Sequence, residues 1–391
     1  MFKANVGYSV DVDPKVAGKA AAEAAKAGLE DIKVAMMYCS CDYDVDAVVA
    51  GAREALGVVP ILGNTSFTGV VVPEAGFVGG DEPFVGIMCF SDPTMHVGVA
   101  GLARDAAQTP YDAGRMIATK AKAAAGEEHG PDFFYMAASS AEEERYLKGI
   151  ASVIGRVPYF GGTAADNTIE GKWKLYANDD VFADGAVVAF FYSNAWMTNL
   201  FTGAYHETDD YGVITKLDGR RRIMEIDHVP ALDKYKEWTG FTDEQCSGAN
   251  LLGTSVTSPL GVKDRLGDLI AVRHPMCGNA DGSIDVGCDC AEKTCIIRLE
   301  TTVDELIESV PSAMRELMAK MPGRPVAFHL VHCGGRRAGI GDRINEVADA
   351  IKEVAGDVPF ICEFTFGEYG FQADGANTVG GLTLSFTGFS E

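Results

Sequence analysis

The run Val34-Ala35-Met36-Met37-Tyr38, Cys39-Ser40-Cys41-Asp42, a helical stretch to Leu56, and then Gly57-Val58-Val59-Pro60-Ile61-Leu62-Gly63-Asn64 reads as strand, polar loop, helix and second strand. It decides the fold because it recurs. Phe133-Phe134-Tyr135-Met136 is followed by Ala137 to Ser140, a helical stretch to Ile154, and Gly155-Arg156-Val157-Pro158-Tyr159-Phe160-Gly161-Gly162. Val326 to Val331 is followed by His332-Cys333-Gly334-Gly335-Arg336, a helical stretch from Ile344 to Val354, and Gly356-Asp357-Val358-Pro359-Phe360-Ile361-Cys362. Short apolar runs bounded by turn residues are buried strands. Ala47, Val48, Ala50, Ala52 and Leu56 carry helical spacing. Gly57, Gly155 and Gly356 suit the residue past a helix end, where φ is positive, and the proline follows where the helix must stop. Strand, helix, strand implies a right-handed crossover between parallel strands. The repetition predicts an α/β fold of layered sheets.

Between the units the texture changes. Asp11 to Leu29 reads as a surface helix, Gly69 to Ala100 as strands, Tyr111 to Ala125 as a helix, and Lys174 to Phe201 as strands turning at Asn178-Asp179-Asp180. Composition shifts at His206 to Gly212, which divides the chain into two packed domains, 1–206 and 207–391.

The 391 residues hold 33 basic and 56 acidic side chains, a net charge of −23. A chain this acidic repels phosphate backbones and anionic lipid, so neither nucleic acid nor a membrane surface is an expected partner. No apolar run approaches the ~18 residues of a spanning helix. The start, Met1-Phe2-Lys3-Ala4-Asn5, lacks the apolar core of a signal peptide, and the ten cysteines read as reduced thiols. A cytoplasmic protein is expected.

The first half resembles the FIST N domain. The resemblance rests on Val34–Tyr38, Val59 to Ser66, Glu144 to Ile150, Gly161 to Asn167 and Asp184 to Val188. The second half resembles FIST C, at Glu225-Ile226-Asp227, Pro230-Ala231, Tyr235, Pro259 to Val262, Arg273, Cys333-Gly334-Gly335-Arg336 and Gly367-Glu368. Asn64 departs from the family's frequent cysteine, and Phe67-Thr68-Gly69-Val70 from its usual Gly-Glu-Ile. The resemblance implies an intracellular sensory module that binds small ligands, with amino acids proposed. Such modules are often fused to an output domain; here a separate signalling protein is the expected partner. One subset of the family binds haem.

Ligands of open parallel sheets sit beyond the carboxyl ends of strands. Asn64, Gly162, Thr163, Asp166, Cys333, Arg336 and Glu368 fall at such ends, and Arg273 is a further anion candidate. The small residues of Gly161–Asp166 let backbone amides approach a ligand; the alternative is a tight turn capped by Asp166. Arg273 and Arg336 offer a planar fork to a carboxylate, unless they pair internally with Glu368 or Asp268. Glu368 or Asp166 would then hold an α-ammonium group. Arg336 and Arg337 beside Cys333 are expected to lower its thiol pKa. That makes Cys333 the nucleophile of an alternative reading, a cysteine-dependent enzyme, or the sensing thiol of a redox sensor. His332 is expected to face the other way.

Cys277, Cys288, Cys290 and Cys295, with His274 upstream, lack metal-knuckle spacing. They read better as one face of a hairpin that turns at Ala291–Thr294, so no metal is expected. His206, His274 and His332 are the haem candidates, although no C-x-x-C-H is present. No P-loop or G-x-S-x-G elbow occurs, and Gly76, Gly79 and Gly80 lack the strand–helix setting of a dinucleotide fingerprint. Arg220-Arg221-Arg222 reads as a solvated loop.

Overall fold

A computed structural model describes residues 1–263, 270–371 and 377–391. All three crossover units form as expected. The strand Ile32–Cys39, the helix Val45–Leu56 and the strand Ile61–Thr65 make the first, with parallel strands. Phe133–Ala138, Glu143–Ile154 and Tyr159–Thr163 make the second. Pro325–Cys333, Ile344–Ala355 and Phe360–Thr365 make the third, with an added short helix, Gly334–Ile340. The helices end at Gly57, Gly155 and Gly356 with φ of 65°, 77° and 57°, a conformation that leaves glycine unstrained.

Each unit centres a six-stranded sheet among the described residues, built to one plan. Two antiparallel strands lie on one side of the unit and a hairpin closes the other. The hairpin never comes from the same unit. Gly69–Val72 with Gly76–Gly79, which follows the first unit, completes the third unit's sheet at Phe360–Thr365. Leu175–Ala177 with Asp180–Phe182, which follows the second, completes the first unit's sheet at Ile61–Thr65. Glu368–Phe371 with Asn377–Gly380, which follows the third, completes the second unit's sheet at Tyr159–Thr163. The exchange is cyclic.

The inner faces of the three sheets share one apolar core, with Leu62, Phe160, Ile361 and Phe389 among its members. Helices cover the outer faces. In the first two units they approach through glycine. A Cβ on Gly51 would lie 2.0 Å from Lys15 O, and one on Gly18 2.1 Å from Val48 O. Gly149 against Tyr111 O (2.1 Å) and Gly114 against Tyr146 O (2.3 Å) repeat the arrangement.

The described residues between 206 and 300 form a separate lobe around an antiparallel sheet. The composition shift at 206–212 is the start of its strand His206–Asp218. Two expectations fail within this lobe. Ile284–Val286 and Cys295–Glu300 do not form a hairpin, since they pair with Arg222–Ile226 and His206–Asp218 respectively. The alternation correctly marked strands but could not identify their partners. Arg220, Arg221 and Arg222 are not a solvated run either. Arg220 pairs with Glu142 (2.9 Å) and Asp289 (2.7 Å), and Arg222 with Asp285 (2.7 Å). Arg221 pairs with Glu143 (2.6 Å), Glu144 (2.8 Å) and Asp289 (3.2 Å).

These ion pairs fasten the lobe to the start of the helix Glu143–Ile154. Glu143 is 3% exposed, and burial raises its pKa ahead of the opposing pull of Arg221. Arg221→Ala strands that carboxylate and is expected to cost about 3 kcal/mol in urea unfolding. Arg220, one-third exposed, is expected to give 1 kcal/mol or less, at about the level of a surface pair.

Candidate functional site

The fourth residue after the proline of each unit is Asn64, Gly162 or Glu363. Each holds the same position in its unit, and Asn64 and Glu363 meet. Glu363 Oε2 accepts from Asn64 Nδ2 at 2.9 Å, and Asn64 Oδ1 accepts from the Tyr135 hydroxyl at 2.7 Å. Tyr135 also donates to Glu363 Oε1 at 3.4 Å. His329 Nε2 lies 2.5 Å from the Tyr38 hydroxyl and 3.5 Å from Glu363 Oε1. The last distance is that of an ion pair, yet both groups are neutral at pH 7. Burial pushes Glu363 up to about 8 and pulls His329 down to about 3. Gly162, the counterpart of Asn64 and Glu363, pairs with Glu368 and packs on Thr365, where a Cβ would lie 2.5 Å from Cγ2.

A second buried group adjoins this one. Glu368 Oε2 accepts from Thr383 N (2.9 Å) and Oγ1 (2.8 Å), and Oε1 accepts from Thr365 Oγ1 (3.2 Å). The Cys333 thiol lies near the same carboxyl. Burial raises Glu368 to about 7. Thr163 reaches Glu143 (3.1 Å) and the Tyr369 hydroxyl (3.0 Å), and its amide donates to Gly367 O at 2.7 Å. Thus Gly162, Thr163, Cys333 and Glu368 come together, with Asn64 one network away.

Arg336 lies close enough to Cys333 and Glu368 to interact with both, but it pairs with no carboxylate among the described residues. Its Nη2 donates to Leu306 O (2.9 Å) and Ser309 Oγ (2.6 Å), while Nε and Nη1 are buried without partners among the described residues. The expected acidification of Cys333 does not occur. Burial, and then the Glu368 charge, push the thiol pKa up, and its sulfur accepts from Gly335 N (3.3 Å) and Leu382 N (3.2 Å). Sequence proximity to two arginines did not bring either guanidinium onto the sulfur. His332 packs on Phe364, with Nδ1 3.0 Å from Cys333 O.

Asp166 is wholly occupied by its own loop. Its carboxylate accepts from the amides of Thr168 (3.0 Å), Ile169, Glu170 (3.2 Å) and Lys172 (2.7 Å). That is the capped turn, and it leaves little to offer an ammonium group.

The pocket beside Cys333 and His274 holds about 80 Å³ and is lined by Phe67, Val256, Met276 and Phe366. Drug-sized ligands occupy roughly 300–1,000 Å³, so this pocket does not accommodate a haem. Among the described residues, no cluster of His, Cys, Asp or Glu is arranged to hold a metal.

Arg273 faces elsewhere. It lines a groove of about 350 Å³ between the helix Glu143–Ile154, the lobe, and the strand Asn377–Gly380. Arg273 Nε donates to Asp289 O (2.9 Å) and Nη1 to Val272 O (3.1 Å). Asp268, its other possible partner, lies outside the described residues. Glu144, Lys148, Arg156, Asp289 and Asn377 also line the groove. The first site network was legible once the units were aligned on their prolines. The signal for the clamp that flanks the groove was the pair of complementary runs, Glu142-Glu143-Glu144 and Arg220-Arg221-Arg222. Nothing local to Lys148 or Asn377 pointed to them.

Comparison with known proteins completes the description. Residues 33–229 match the FIST N domain model and residues 231–370 the FIST C domain model. No curated protein matches the chain. A crystal structure of cyanuric acid hydrolase from A. caulinodans is similar over 99% of both chains, at 12% identity and a TM-score of 0.34. PurL of T. maritima, complexed with ADP, is similar over 100% of this chain and 71% of its own, at 10% identity and a TM-score of 0.24.

Proposed function

The chain belongs to the FIST family, a family of signal-transduction sensory modules, and on that premise we propose that it binds a small ligand in the groove beside Arg273 and signals through a separate partner. An amino acid or small carboxylate is the ligand class, and the cytoplasm the setting. The observation that carries this reading is the make-up of the groove. One wall is the helix Glu143–Ile154, the other belongs to the lobe, and ion pairs from Arg220 and Arg221 hold the two together. A ligand that bridges the walls changes how the lobe sits on the sheets, and a partner protein reads that surface.

The enzyme and thiol-sensor readings need a reactive thiolate, whereas burial holds Cys333 in its protonated form. The test is a thermal-shift screen of amino acids, small carboxylates and nucleotides, followed by hydrogen exchange. A ligand at 100 times its Kd stabilises by about 2.7 kcal/mol. It is expected to slow exchange in Glu143–Ile154 and around Arg273. Stabilisation with protection confined to other parts of the chain would defeat this placement.

A further inference from the structure

The charges of the Arg273 groove are unequal in a way that selects among small ligands. Two carboxylates line it, Glu144 and Asp289, and both are already satisfied. Arg221 Nη2 lies 2.8 Å from Glu144 Oε2, and Glu144 Oε1 accepts from Asp289 N at 3.1 Å. Asp289 Oδ1 and Oδ2 are held by Arg221 and Arg220. The cations are not balanced in the same way. Among the described residues Arg273 donates to the neutral carbonyls of Asp289 and Val272 and lies against the Cys290 thiol, and Lys148 is exposed with no carboxylate partner.

The groove therefore presents the Arg273 guanidinium and the Lys148 ammonium to an incoming anion, with Arg156 also in its wall, in a protein of net charge −23. It also presents one acceptor. The Asn377 carboxamide donates through Nδ2 to Val157 O at 3.0 Å, while its Oδ1 is buried without a partner among the described residues. That oxygen lies just beneath the groove's surface, and a turn of the carboxamide would bring it to a ligand's N–H.

Building on the proposed binding groove, we infer that its ligand is a small dicarboxylate carrying a hydrogen-bond donor, of which an acidic amino acid is the simplest form. Arg273 takes one carboxylate, Lys148 the other, and Asn377 Oδ1 the ammonium N–H. A zwitterion with a neutral side chain leaves Lys148 unused, and a basic one meets it with like charge.

The test is calorimetric titration of the full chain with L-aspartate, L-glutamate, L-asparagine and L-glutamine. One of the two acids is expected to bind at least tenfold more tightly than its amide. Lys148→Gln, a surface change that leaves folding intact, is expected to erase that preference while sparing amide binding. Arg273→Gln is expected to weaken acid and amide alike by tenfold or more. Equal binding of acid and amide, still lost in Arg273→Gln, would overturn the dicarboxylate assignment and leave the groove as the binding site. Acid binding unchanged in both variants would overturn the assignment and the groove together. Failure of both acids to bind, with another small carboxylate binding in an Arg273-dependent way, would overturn the assignment alone.

Discussion

Glu363→Ala is expected to cost about 4 kcal/mol of stability below about pH 4.5, whereas Glu363→Gln is expected to be nearly neutral there and to stabilise by about 3 kcal/mol at pH 7. The alanine leaves one N–H of the Asn64 amide buried without its acceptor, at about 1–3 kcal/mol, and opens a cavity between three sheets, while the Tyr135 hydroxyl keeps Asn64 Oδ1. The glutamine keeps the shape of the protonated carboxyl and has no proton to release on unfolding, so it escapes the penalty that the glutamate carries above its ordinary pKa of 4.5.

The same group sets a pH dependence. Its ordinary pKa is 4.5 and its folded value about 8. Between those values the unfolded chain has released a proton that the folded chain still holds. Stability is therefore full below about pH 4.5, falls as pH rises, and levels off above about 8, at about 1.4 kcal/mol per pH unit for this group. Glu368, raised to about 7, adds a second loss up to that pH. Urea unfolding from pH 5 to 8 measures the slope. Glu363→Gln is expected to flatten it between pH 5 and 7 and to abolish most of it between 7 and 8. An unchanged slope in that variant would contradict a protonated Glu363.

The second large effect comes from a single methyl group. Gly149→Ala places a Cβ 2.1 Å from Tyr111 O and 3.0 Å from Gly114 Cα. Both are backbone atoms, so no side chain can swing aside, and the two helices must separate along their contact. Overpacking of this kind costs about 1–3 kcal/mol or more, against about 1 kcal/mol that alanine returns in helix propensity. A net loss of about 2 kcal/mol is expected, visible as a lower urea midpoint at unchanged slope. Gly253→Ala is the control. It too sits in a helix, but a Cβ there meets nothing within 4 Å, so it is expected to be neutral or slightly stabilising.

The crossover units were legible because each is local. Strand, helix, glycine, proline and second strand lie within about thirty residues, and each part constrains the next. Helix Pro14–Lys26 was also legible, capped by Asp13. Pairing over long separations was not. The cysteine-rich stretch showed strand alternation, but nothing in Ile284–Val286 names Arg222–Ile226 as its partner. The candidate site divides along the same line. Thr163, Cys333 and Glu368 were picked as strand ends, and the alignment of units brings them together. Arg273 looked equivalent to Arg336 in sequence, but lies in a different groove because it belongs to the lobe. Glu363 was passed over because a glutamate inside a buried strand is unusual, and its partners Asn64 and Tyr135 come from the other two units.

The cyclic exchange of hairpins also bears on biosynthesis. A chain emerging from the ribosome makes the first crossover unit early, yet the edge at Ile61–Thr65 waits for Leu175–Ala177. The hairpin Gly69–Val72 and Gly76–Gly79 waits far longer, for Phe360–Thr365. The strand Leu384–Ser390, the last described to be synthesised, is not a peripheral addition. It lies between Trp196–Thr202 and Pro325–Cys333. The first sheet can close once Asp180–Phe182 is out, but the second and third wait for strands beyond Phe360, so a nascent chain stalled after the second unit carries open strand edges, which invite pairing with other chains. Such a protein should depend on chaperones while it is being made, and very little afterwards.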